Sequence, residues 1–242
     1  MMLGMFDDAA PGIRLPHPPL SLRSHLIIET AICAAWELML THARAGFDLQ
    51  AANEDTVTHE LYERLYDEVF DKGVVDGFGR EVFASVRREP KVRNFSGSSL
   101  DKMPDLLVEF IDRPAGAMNS QHGLFIECKP VDRKHPAGSA YCDEGLIRFV
   151  RGDYAWAMQS AMMVGYARAG YSVVPKLAEA LASIRKEPIP TSYGPEPCPC
   201  TPATVYCEQV AISKHERTFL YIENDSPAGT IVIRHLWLRR GR

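Results

Sequence analysis

The run MPDLLVEFID, joined through a Gly-containing turn to GLFIECK, constrains the fold of this chain more than any other stretch. Two apolar runs separated by turn residues read as a β-hairpin. With the turn centred near Gly116, Asp105 stands across from Glu127 and Leu107 across from Phe125. Side chains at i and i+2 share a face of a strand, so Phe125, Glu127 and Lys129 line one side while Leu124, Ile126 and Cys128 line the other. Two carboxylates and a lysine therefore project together at one end of the hairpin. Carboxylates held close repel and are costly to bury unless a cation neutralises them. Mg²⁺ is a hard ion that takes oxygen ligands and keeps several waters, which makes it, or Mn²⁺, the natural third party. Asp105 and Glu127 are the candidate ligands. The Cys128 side chain points away, but its backbone carbonyl offers a further oxygen. Lys129 is positioned to orient or deprotonate an attacking water, and the chemistry expected of the set is phosphodiester hydrolysis.

Read as motifs, Pro104-Asp105 and Glu127-Cys128-Lys129 resemble the signature of the PD-(D/E)xK superfamily, the restriction-endonuclease-like nucleases. The resemblance spans roughly residues 50 to 170, which contain the helix, strands and following helix that such a core requires. It implies an α/β fold with an α/β/α core and a mixed central sheet, here with an extra N-terminal helix and a C-terminal β-rich extension. It also implies a metal-dependent nuclease, acting on DNA as an endonuclease. Members often add an acid from the helix before the sheet. Glu54 is the favoured candidate, with Glu60 as its replacement. On a helix expected after the sheet, Gln159 and Tyr166 are candidate substrate contacts, although their spacing departs from the Gln-xxx-Tyr pattern of one nuclease branch. The bland alternative for the motif is a strand that begins after a Pro turn, with Glu127 and Lys129 as solvated edge residues. For Glu54 it is stabilisation of a helix dipole.

A length of 242 residues is enough to bury a substantial core, and 46% hydrophobic with 24% charged residues is ordinary for a globular protein. The most apolar early segment, HLIIETAICAAWELML, is interrupted by Glu29 and Glu37 and is too short and too charged to span a bilayer. The N-terminal stretch lacks the basic and apolar regions of a secretory signal, so a cytoplasmic location and reduced cysteines are expected. A net charge of −4 argues against a uniformly basic nucleic-acid coat. Its distribution is uneven. Arg87, Arg88, Lys91 and Arg93 precede the first motif strand, and Arg133, Lys134, His135, Arg148 and Arg151 follow the second. Of these, Arg88, Lys91, Arg93, Arg133, Lys134, Arg148 and Arg151 are the candidate nucleic-acid contacts. The alternative is that they keep loops solvated.

Three regions are expected: an extended arm over 1–22, a nuclease-like core over 23–185, and a Pro- and Cys-rich connection with C-terminal strands over 186–242 that packs on the core. Helical spacing predicts a helix over 23–45, with Leu26, Ile27, Thr30, Ala31, Ala34, Ala35 and Leu38 recurring. Asn53 caps a second helix, with Val57, Leu61, Leu65 and Val69 as its stripe and Gly73 as its stop. EVFASVRR reads as a strand. The segment 143–169 reads as one long helix or two hinged near Gly152, its Met158, Met162 and Met163 packing in the core. PKLAEALASIRK is a short helix, and TVYCEQVAIS, TFLYIE and TIVIRHLWL have strand composition.

Cys198, Cys200 and Cys207, with His215, suggest a structural Zn²⁺ site, the alternative being buried thiols. His215 and Arg217 are further candidate phosphate contacts or an exposed pair without function. Phosphate-loop, nucleophile-elbow and zinc-protease signatures are absent. The expected partner is nucleic acid, DNA by analogy, with no membrane association and with a homodimer or a place in a larger complex as options. The rival to the nuclease is a catalytically silent nucleic-acid-binding or scaffold subunit of the same fold.

Overall fold

The computed structural model describes residues 12–168, 170–183, 191–197 and 209–241. Cys198, Cys200 and Cys207 lie outside the described residues. The chain is an α/β protein, with four α-helices and a mixed seven-stranded sheet among the described residues.

Helix α1 (Leu22–Thr41) starts where the Ser21 hydroxyl accepts the Ser24 N–H at 3.0 Å. Its most deeply buried face runs through Ile28, Ala31, Ile32, Ala35, Trp36 and Met39. That face is rotated from the expected stripe: Leu26, Ile27, Thr30, Ala34 and Leu38 are only half-buried, and the helix stops at Thr41 rather than near Gly46. Helix α2 (Glu54–Glu63) is capped by Asn53, whose side chain accepts the Thr56 N–H at 2.9 Å, and it widens into a π-helical segment over Arg64–Phe70. The stripe Val57, Leu61, Leu65 and Val69 is wholly buried, as its spacing requires.

Strands β1 (Phe83–Arg88), β2 (Leu106–Phe110) and β3 (Gly123–Val131) form an antiparallel meander. In the hairpin Leu107 pairs with Phe125 and Leu106 with Ile126, the expected register. A π-helical stretch (Ala137–Leu146) then runs into the short helix α3 (Ile147–Arg151), which ends at left-handed Gly152.

The segment 143–169 differs from expectation. Its second half is strand β4 (Ser160–Ala167), parallel to β3, with all eight residues buried. Met162 packs with α1 and α2 on one face and Met163 with the π-helical stretch and α3 on the other. A strand covered on both faces is a continuous apolar run without alternation, and such a run is indistinguishable from a buried helix by periodicity. Gln159 and Tyr166 are therefore not on a helix after the sheet.

Helix α4 (Val173–Ala182) follows, then β5 (Ser192–Pro197), β6 (Gln209–Glu216) and β7 (Thr230–Arg239). The spatial order is β1-β2-β3-β4-β7-β6-β5, with β7 parallel to β4 and antiparallel to β6. The C-terminal strands thus continue the same sheet. TFLYIE is not one of them: only Leu220 makes an isolated bridge, to Pro227. Between β6 and β7, Arg217 is buried and donates to the carbonyls of Trp156 at 3.0 Å and Ala228 at 2.8 Å, so it is a rivet for this loop.

The N-terminal arm is tied down at His17. Its Nε2 accepts the Met118 N–H at 3.0 Å, its own N–H donates to the Ala157 carbonyl at 2.8 Å, and its carbonyl accepts from the Gln159 side chain at 2.7 Å. Gln159 is occupied as an arm clamp rather than open to a substrate. Among the described residues no helix is long and apolar enough to cross a membrane.

Candidate active site

The hairpin register delivers Asp105 to the end of β2, where its Oδ2 accepts the Cys128 N–H at 2.6 Å. A strand residue's N–H and C=O point to the same neighbour. The Cys128 carbonyl therefore faces the Asp105 side of β3, beyond Leu106, the first residue of β2. The Cys128 thiol points into the core beneath α1 and α2, as the two-residue period demands.

Glu127 is fully buried. Its Oε1 lies 2.9 Å from Arg148 Nη1 and 3.2 Å from Lys129 Nζ, and its Oε2 accepts the Tyr154 hydroxyl. Lys129 Nζ is also 2.5 Å from Glu54 Oε1, which the Asn53 cap fixes in the first turn of α2. The structure thus gathers Asp105, Glu127, Lys129 and Glu54 at one end of the sheet. Gly145 covers them. A methyl group there would lie 2.8 Å from Met163 Cε and 3.2 Å from Lys129 Cγ, so the absence of a side chain lets the π-helical stretch lie close over the Glu127–Lys129 face.

Burial, and then the charge of Glu127, push the Asp105 carboxyl up to about 7. Burial also raises Glu127, against the pull of Lys129, Arg148 and Tyr154. Burial alone would lower Lys129, but Glu127, Asp105 and Glu54 together hold its proton more tightly than usual. The three carboxylates thus favour the charged form of Lys129.

The remaining candidates are dispersed. Glu60 turns to Arg64, 2.8 Å away, and is not part of the cluster. Tyr166 is buried in β4, its hydroxyl 2.9 Å from Thr58 Oγ1. Arg88 contacts Glu89 at 3.0 Å, and Arg93 is held by Glu223 and lies over the Trp156 ring at 4.5 Å. Lys91 and Arg151 are exposed. Arg133 and Lys134 line a cleft next to Glu54, and Arg148 is bound to Glu127 rather than to solvent alone. His215 is buried, its Nε2 2.7 Å from Ser213 Oγ; neither it nor Arg217 lies on the surface expected of a phosphate contact.

Tyr154 and Gly145 escape sequence reasoning. They follow a segment with no alternation or cap to anchor it, and their roles depend on how α3 folds back onto β3. Arg148 is visible as a charge, but its partner is not.

Among the described residues no group of three or more His, Cys, Asp or Glu side chains is arranged to hold a metal. What the site offers is two carboxylates and a backbone carbonyl, all hard oxygens of the class that Mg²⁺ and Mn²⁺ take. Burial raises Asp105 first and repulsion from Glu127 adds to it, and a divalent cation between the carboxylates would relieve that repulsion. Such an ion would have to share or displace one of the groups that now hold Glu127. No family model, curated protein or solved structure matches the chain.

Proposed function

We propose that the chain is a divalent-metal-dependent nuclease with a restriction-endonuclease-like core, hydrolysing nucleic-acid phosphodiester bonds, DNA in the first instance. One observation carries this reading: the β2–β3 register brings Asp105 against Cys128 and beside buried Glu127, with Lys129 bridging Glu127 to Glu54. The cluster lies in a mixed α/β sheet, with α2 before the β1–β3 meander and α3 and the parallel strand β4 after it, and this setting supports the reading.

A bound Mg²⁺ or Mn²⁺ would supply a Lewis acid to the phosphoryl oxygen and a more acidic water. Asp105, Glu127 and the Cys128 carbonyl would hold it. Arg148 and Tyr154 fix the Glu127 carboxylate. Lys129, charged and braced by Glu54, orients the attacking water and stabilises negative charge growing on the phosphorus oxygens, rather than accepting a proton. The water oxygen bonds to phosphorus and gives up its proton to surrounding solvent, the P–O bond to the leaving sugar oxygen breaks, and that oxygen takes up a proton from solvent.

A second reading, a silent nucleic-acid-binding or scaffold subunit, draws on a specific observation: both Glu127 oxygens are already engaged by protein groups. Incubation of the purified chain with circular, linear and single-stranded substrates in Mg²⁺, Mn²⁺ or chelator separates the two. Metal-dependent cleavage should occur, and Asp105→Ala or Glu127→Ala should abolish it. Full cleavage by either folded variant would remove the proposed metal site, and binding without cleavage would favour the silent subunit.

A further inference from the structure

A cleft of about 510 Å³ opens beside Glu54, between the start of α2, the turn after β3 and the ends of β4 and β7. Pro130, one residue beyond Lys129, forms part of its wall, so it adjoins the proposed active site. Its charged walls are mostly cationic: Arg133, Lys134, Arg168 and Arg240, with His135 beside them, against Glu54 and Asp132. Both carboxylates are already engaged. Glu54 holds Lys129, while Asp132 takes His135 at 3.0 Å and Arg168 at 3.3 Å, and accepts the backbone N–H groups of Lys134 and His135. Among the described residues no carboxylate lies within ion-pairing distance of Arg133, Lys134 or Arg240.

Arg240 is the informative member. It is only 4% exposed, its Nη1 donates to the Ala52 carbonyl at 3.1 Å, and its Nε has no hydrogen-bond partner among the described residues. Burial, followed by the charge of Arg168, weakens its hold on its proton. Arg217 shows the contrast. It is equally buried, but carbonyl groups and the Tyr221 hydroxyl surround its guanidinium. Glu54 and Asp132 offset the charge of Arg240 only from beyond ion-pairing distance. A buried cation with an unpaired N–H and no carboxylate in contact is costly, and an anionic ligand is the direct remedy. Guanidinium groups favour phosphate because their planar fork donates two parallel hydrogen bonds.

We propose that this cleft is a phosphate-binding subsite, with Arg240 at its base and Arg133 and Lys134 at its rim. That the phosphate belongs to a nucleic-acid strand entering the active site rests on the nuclease reading above. The same chemistry fits an internal phosphodiester or a terminal phosphate monoester.

The test uses the full chain in chelator, so that no cleavage intervenes. Inorganic phosphate, and short oligonucleotides ending in a 5′ phosphate or a 5′ hydroxyl, are titrated by calorimetry and by thermal shift at matched ionic strength. Saturable phosphate binding, absent with chloride, should appear, and the Arg133→Ala/Lys134→Ala double variant should weaken it by about tenfold or more. Because Arg240 also braces the loop before α2, this rim variant keeps the test valid if Arg240→Ala fails to fold. Preference for the 5′-phosphate oligonucleotide would identify a terminal monoester, and equal binding of both an internal diester. Phosphate binding no tighter than chloride, or unchanged in the double variant, would overturn the subsite. Phosphate binding by a chain that never cleaves with Mg²⁺ or Mn²⁺ would remove the nuclease reading and leave the subsite standing.

Discussion

Asp105 and Lys129 are the two residues whose charge states decide what the cluster can do. The Asp105 carboxyl sits at about 7, raised first by burial and then by Glu127. In the unfolded chain its value is about 3.9, so the protonated form is favoured by folding. Its contribution to stability is fully present below the unfolded value and is lost as pH rises through the folded one. In chelator at pH 8, Asp105→Asn should be more stable than the parent, by on the order of 1–4 kcal/mol, and the gap should close towards pH 5. Urea denaturation of both proteins at the two pH values measures this. Added Mg²⁺ should stabilise only the parent, and a gap independent of pH would mean that Asp105 is not the strained carboxyl. Lys129→Ala should retain metal binding and lose most turnover, since it removes a cation from beside the ligands and the reacting phosphate. Lys129→Arg should restore little, because a planar fork does not reproduce a point charge braced by Glu54. Parental cleavage rates in Lys129→Ala under saturating Mg²⁺ would end the role given to it. This much of the site was legible because the strand period and one turn length suffice to place Asp105, Glu127 and Lys129 together. Arg148, Tyr154 and Gly145 were not legible, because long-range packing alone brings them to Glu127 and Lys129.

At the scale of elements, hairpin and helix caps followed from local chemistry, whereas β4 did not. Asn53 before an acidic first turn, the Val57–Val69 stripe and Gly73 at φ +62° each have a local cause, and each is present. SAMMVGYA carries no such signal, since both its faces are buried and its two methionines serve different layers. Gly165 is the trace of its true state. It pairs directly with Trp237 of β7, and a methyl group there would fall 2.6 Å from Trp237 Cδ1 and 2.9 Å from Nε1. The indole lies across a strand position that has to be bare. Gly165→Ala should therefore destabilise the protein by about 1–3 kcal/mol through overpacking, read as a lower urea midpoint. In a helix the same change would stabilise by about 0.8–1.0 kcal/mol. Trp237→Leu should shrink the penalty in the double variant. A neutral or stabilising Gly165→Ala would contradict the close approach of β4 and β7.

For the whole molecule, the last strand in sequence is a central strand in space. β7 pairs with all eight residues of β4 and separates it from β6, although more than sixty residues lie between β4 and β7 in the chain. The strand composition of the C-terminal segment was readable, but its place in the sheet was not, because pairing order depends on which edge is left open after β1 to β4 have formed. That order makes the proposed nuclease residues dependent on the C-terminus. Trp36 in α1 donates its Nε1–H to the Arg239 carbonyl at 2.8 Å, and Arg234 binds the buried carboxylate of Glu29. A chain ending at residue 185 would keep every residue of the Asp105–Glu127–Lys129–Glu54 cluster. It would also expose the whole outer edge of β4 and remove an ion partner of Glu29 inside the α1 layer. Unpaired strand edges template aggregation, and taking one partner from a buried ion pair costs about 3–5 kcal/mol. That loss is comparable with the total stability of many domains, about 5–15 kcal/mol. The truncated chain should therefore show no cooperative urea transition and should associate in solution, even though its motif is intact. Equilibrium denaturation followed by circular dichroism, with sedimentation to report association, provides the measurement. A monomeric, cooperative transition with the parental midpoint would show instead that residues up to 185 form an independent core and that β7 merely decorates it.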